Sequence, residues 1–168
     1  MLVYLLRHGI AADLAPRGPQ TDEERPLTAA GREKLTAACS TYASVATCPT
    51  RILASPLIRA QQTARVFADA TGFDGEIESE PVLVPGARPL AILDTLRAEL
   101  LSGASAIALV GHEPHLGGLL GLLLTGGERI SIPLRKGMLV GVQLSEHQTM
   151  IGDLKFAIGQ GLAQRLCR

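Results

Sequence analysis

The opening stretch, Met1-Leu-Val-Tyr-Leu-Leu-Arg-His-Gly9, constrains the fold more than any other. Leu2 to Leu6 is an apolar run rich in strand-formers. It is far too short to span a membrane and suits a strand buried on both faces. Such a strand implies helices above and below it, hence an α/β protein. The run stops abruptly at Arg7-His8-Gly9. Open α/β sheets bind ligands at the carboxyl ends of their strands, so a cation and an imidazole stand where a ligand would. Gly9 lets the backbone turn sharply there or approach a ligand closely.

The rest of the chain repeats the alternation. Residues 10 to 26 form a long polar connection, which compact domains often use as a binding loop. Thr28 caps a helix over 29–42. Arg51-Ile-Leu-Ala54 reads as a second strand. Ser55-Pro56 follows as N-cap and first helical position of a helix to about Ala70. A third, more exposed strand is expected over 77–84, and Pro85-Gly86-Ala87 turns the chain into a helix over 89–101. Ala106 to Val110 is the clearest buried strand, and Pro114 opens a helix through Leu124. The tail reads as an antiparallel hairpin, 137–144 with 150–158, around a turn at 145–148. Residues 159–168 have weak helical character and no assigned role. The expectation is a three-layer α/β/α fold spanning 1–168 as one domain, its mostly parallel sheet extended by an antiparallel C-terminal hairpin.

Composition narrows the function. Lys+Arg and Asp+Glu are both 16, so no broad basic surface awaits nucleic acid or anionic lipid. Aromatics are 3%, too few for a base-stacking platform. Cys39, Cys48 and Cys167 form neither a CxxC pair nor an even set, which suggests reduced thiols in a cytoplasmic protein. No signal peptide is read at the N-terminus.

Four side chains share one structural address. Arg7 and His8 end the first strand, Arg59 lies in the helical turn after the second, and His112 ends the strand before Pro114. In a parallel sheet these ends form one rim, where two helix N-termini also point their free N–H groups. Such a pocket suits a small multiply charged anion, and phosphate fits best.

The order of the pieces gives a resemblance. Arg7-His8-Gly9, Ser55-Pro56 with Arg59-Ala60 and Thr63-Ala64, and Gly111-His112 resemble the histidine phosphatase superfamily, with its phosphoglycerate-mutase-like fold. Arg25-Pro26-Leu27-Thr28 with Gly31, Pro85-Gly86, and Leu134 with Lys136-Gly137 look like SixA-type phosphohistidine phosphatases. The resemblance covers roughly residues 1 to 145. It implies His8 as nucleophile, Arg7, Arg59 and His112 as catalytic partners that clamp phosphoryl oxygens, and Gly9 in the phosphate-binding set. It also implies no metal or other cofactor, because arginines supply the positive charge. Larger members that cleave phosphate esters carry a Glu or Asp in the loop after the third strand. Here that loop is Val84-Pro85-Gly86-Ala87, without a carboxylate. A phosphoramidate leaves as imidazole and depends less on a strong acid. The implied substrate is therefore phosphohistidine in a signalling phosphoprotein, such as a histidine phosphotransfer domain. The alternatives are a phosphatase for small phosphomonoesters or phosphoserine, and a phosphate-binding module without turnover.

The remaining polar residues are read more plainly. Glu113 suits a helix N-terminus and is not assigned as the acid. His115 is not read as a metal ligand, since the spacing is not HExxH. His147 is expected in the hairpin turn, exposed. Arg25 either reaches the pocket or pairs with Asp22 or Glu23.

Overall fold

The computed structural model describes residues 1–145 and 150–167. Its centre is a six-stranded sheet in the order β3-β2-β4-β1-β5-β6. These strands are β1 (Leu2–Arg7), β2 (Arg51–Ala54), β3 (Ile77–Ser79), β4 (Ala106–Gly111), β5 (Leu139–Leu144) and β6 (Gly152–Ile158). The strands β1, β4, β2 and β3 run parallel, and β5 and β6 extend the β1 side antiparallel. Leu2 pairs with Ala106 and Arg7 with Gly111, so β1 and β4 end together.

Alternation of side chains fills both faces of the sheet. Tyr4, Leu6, Ile52, Ala54, Ala108 and Val110 face one cluster. There they meet α1 (Ala29–Val45) through Leu35, Ala38 and Tyr42, and α2 (Ile58–Thr71) through Ala60, Ala64 and Phe67. Val3, Leu5, Leu53, Ile107 and Leu109 face the other cluster. Leu96 and Leu100 of α3 (Leu93–Leu101) and Leu116, Leu119, Leu120 and Leu123 of α4 (His115–Thr125) cover it. The leucine-rich stretch of α4 is thus core.

Thr28 caps α1 as expected, its Oγ1 accepting the Gly31 amide at 2.9 Å. Gly31 is required by close approach, since a Cβ there would lie 2.3 Å from the Ile10 carbonyl oxygen.

Three expectations need correction. The third strand stops at Ser79 instead of continuing to Val84, and Pro81–Leu83 form a 3-10 turn. Pro81 has no N–H for a ladder, and the Glu80 carboxylate caps the Val82 amide at 3.2 Å. The helix expected from Pro89 begins as a 3-10 turn over Pro89–Ile92 and becomes α3 only at Leu93. The N-cap of α2 is Leu57 rather than Ser55, whose Oγ accepts the Leu57 amide at 3.4 Å and also bonds His112. The tail also gains a role as α5 (Gln160–Leu166), docked on α1 where Thr41 Oγ1 donates to the Ala163 carbonyl at 2.7 Å.

Candidate active site

Parallel pairing brings the expected residues to one rim. Arg7 and His8 leave the carboxyl end of β1, His112 follows β4, and Arg59 lies in the first turn of α2, shortly after β2. His8, Arg59 and His112 are 7%, 3% and 2% exposed, unusual burial for such groups without partners of matching chemistry. The rings of His8 and His112 stand 4.9 Å apart, centroid to centroid.

His8 is held in one tautomer. Its Nδ1 lies 2.7 Å from the Gly9 carbonyl oxygen, which can only accept. Nδ1 therefore carries the proton and Nε2 keeps its lone pair. Burial pulls the pKa of His8 down to about 4. The Gly9 bond opposes that shift, and the positive field of Arg59, Arg7 and Lys136 adds to it. The ring is thus neutral near pH 7.

Gly9 ties β1 to α2. Its amide donates to Thr63 Oγ1 at 3.1 Å, so its N–H is not free for phosphate. The Thr63 hydroxyl in turn donates to the Arg59 carbonyl at 2.7 Å. One threonine thereby ties the end of β1 to the first turn of α2.

His112 Nε2 lies 2.9 Å from the hydroxyl of Ser55, itself fully buried. Burial, then the charges of His8 and Arg59, lower its pKa to about 3; Asp22 opposes the shift and Arg7 adds to it. Arg7 Nη1 donates to the Leu134 carbonyl at 2.7 Å. Arg59 donates from Nη1 to the Asp22 carbonyl at 2.5 Å and from Nη2 to Asp22 Oδ2 at 2.7 Å.

Three buried nitrogens of this constellation have no hydrogen-bond partner among the described residues: Arg7 Nε, Arg59 Nε and His112 Nδ1. Native proteins pair nearly all such groups. Nitrogens left unpaired on two arginines and a histidine suit a ligand rich in acceptor oxygens, and a tetrahedral oxyanion is the compact form of one.

The other polar candidates have structural partners. Glu113 Oε1 accepts the Leu134 amide at 3.0 Å, holding the segment whose carbonyl receives Arg7. Arg25 turns to Asp22 at 2.8 Å and to the Ala12 carbonyl at 2.6 Å. His115 is buried on α4, where burial lowers its pKa and the Arg88 backbone opposes the shift. His147 lies outside the described residues. Among the described residues no three His, Cys, Asp or Glu side chains gather to hold a metal ion, and no helix is long and apolar enough to cross a membrane.

Sequence reasoning missed Ser55 as the partner of His112, and Asp22 as the partner of Arg59. The signal for Asp22 was present in the acidic cluster before Arg25; the signal for Ser55 was masked by its Pro neighbour.

The fold is that of a phosphoglycerate mutase from Bacillus anthracis, whose solved structure superposes with a TM-score of 0.70 at 13% identity, covering 96% of this chain and 94% of that one. The histidine phosphatase superfamily (branch 1) matches residues 3–84. An uncharacterized protein of Picosynechococcus sp. is 32% identical over 147 residues, covering 85% of each chain. Phosphohistidine phosphatase SixA of Escherichia coli is 29% identical over 127 residues, 75% of this chain and 76% of that one. A solved structure of the protein histidine phosphatase SixA complexed with tungstate superposes with a TM-score of 0.85 at 25% identity, covering 96% of this chain and 98% of that one. The chain belongs to the histidine phosphatase superfamily.

Proposed function

We propose that this protein is a phosphohistidine phosphatase that works through a phosphorylated intermediate on His8, with a phosphorylated signalling protein as substrate. The observation that carries this reading is the neutral His8 ring, its Nδ1–H tied to the Gly9 carbonyl and its Nε2 left with a lone pair beside His112. Binding alone would need only the arginines; an oriented neutral imidazole is what a nucleophile needs.

In this mechanism Nε2 of His8 attacks phosphorus in line with the substrate's P–N bond. That bond breaks, and the substrate imidazole, protonated on its other ring nitrogen, leaves as the neutral ring with the electron pair. Arg7, Arg59 and His112 hold the equatorial oxygens, where the transferring group carries its charge. Water then attacks the phosphorus on His8, returning the lone pair to Nε2 and releasing phosphate. Similarity to SixA supports phosphohistidine as the substrate class. The loop Val84–Ala87 has no carboxylate, and the nearby Glu80 is occupied as the cap of Val82. Neither favours an alkoxide leaving group, which needs a proton.

The test is a substrate panel of phosphohistidine peptide, phosphoserine peptide and sugar phosphates, with and without chelator. The expected result is preferential release of phosphate from phosphohistidine, insensitive to chelator. His8→Ala should abolish it while phosphate still binds. Equal activity of His8→Ala and wild type would remove the nucleophile assignment. Comparable turnover of an alkyl phosphate would replace the reading with a general phosphomonoesterase.

A further inference from the structure

Arg59 is gripped at its far end before any substrate arrives. Asp22 takes both terminal nitrogens, Nη1 through its backbone carbonyl and Nη2 through its carboxylate. Asp22 is itself fixed by Arg25, whose Nε is anchored on the Ala12 carbonyl. A guanidinium can present a second edge, the one that includes Nε. On Arg59 that nitrogen is buried and has no partner among the described residues.

From this division we infer that Asp22 is a positioning residue for phosphoryl transfer: it holds the end of the Arg59 guanidinium so that the Nε edge is presented to the anion beside His8 and His112. The inference rests on the proposed phosphatase reaction and adds a residue to it. Asp22 does not touch the substrate. It acts by fixing the direction of a cation that must stabilise charge on the transferring group, so that no reorientation is needed at the moment of reaction. The Asp22 carboxylate stays ionised for this task. Its partial burial raises its pKa, but bonds from Arg25 and Arg59 outweigh that and leave it below the ordinary value.

A tether for the loop and a positioning residue make different predictions. Asp22→Ala should lower kcat about 10- to 100-fold and leave KM within about threefold, measured at a temperature where circular dichroism shows the variant folded. Asp22→Asn, which keeps a carbonyl acceptor for Nη2, should recover most of that loss. In an Arg59→Lys background the same Asp22→Ala change should cost less than about threefold, because a lysine ammonium has no second edge to aim. Wild-type kcat in Asp22→Ala, or an equal loss in both backgrounds, would overturn the inference. A readout independent of turnover is binding of orthovanadate, which takes the geometry of the transferring phosphoryl group. Asp22→Ala should weaken it about tenfold with Arg59 present and hardly at all with Lys at that position. If the wild type releases phosphate from no substrate, the proposed function fails while the vanadate titration still decides the role of Asp22; equal affinities there sink it.

Discussion

Acid should destabilise this protein through its two buried rim histidines, His8 and His112. His8 and His112 have pKa values lowered from 6.5 to about 4 and about 3. In the unfolded chain both imidazoles bind a proton near pH 6.5; in the folded protein neither does until the pH is far lower. Between those values the unfolded state binds more protons, so stability falls as pH falls. From pH 7.5 to pH 5 each histidine costs about 2 kcal/mol by this linkage. Together they remove about 4 kcal/mol, a large part of a typical domain's stability. His115, also lowered by burial, acts in the same direction. Asp22 and Glu78 do not confuse the interval. Their pKa values are lowered from 3.8 and 4.5, so their stabilisation is lost only as pH falls further. The assay is urea unfolding of wild type and His112→Gln across pH 7.5 to 5. The variant should lose about 2 kcal/mol less than wild type over that span. A wild-type stability that stays flat, or an identical fall in both proteins, would refute the claim that these rings are held neutral by burial.

Other outcomes depend on single contacts. Ser55→Ala removes the hydroxyl that holds His112 Nε2, and kcat should drop about tenfold with the fold retained, as read by steady-state kinetics and circular dichroism. Gly31→Ala drives a Cβ into the Ile10 carbonyl; urea unfolding should show a loss of about 2 kcal/mol or more.

The parallel core and its rim were legible because periodicity and strand-end chemistry are local signals. Leu2–Leu6 and Ala106–Val110 are apolar without interruption, and only a strand covered on both faces wants that pattern. Arg7 ends β1, His8 and His112 follow β1 and β4 directly, and Arg59 lies in the helical turn after β2, so parallel pairing brings them to one rim. The features that escaped reading depend on partners distant in the chain. Ser55 has the local grammar of a helix cap and accepts the Leu57 amide, but its shorter bond is to a histidine 57 positions away. Asp22 looks like a solvated loop acid until α2 places Arg59 against it. The end of β3 has a local cause: Pro81 interrupts the run, and the Glu80 side chain caps the 3-10 turn that Pro81 opens.

The direction of β5 has a consequence for how this scaffold can change. Because β5 runs against β1, it is the beginning of β5 that lies beside Arg7, and the Gly137 amide, its φ at +67°, donates to the carbonyls of both Arg7 and His8 at 3.1 Å. The segment leading into that strand therefore borders the chemistry, while the other crossovers arrive from the opposite end of the sheet. Added chain between Leu134 and Gly137 would alter access to His8 most directly, because those two residues already bond Arg7 and His8 and belong to no strand.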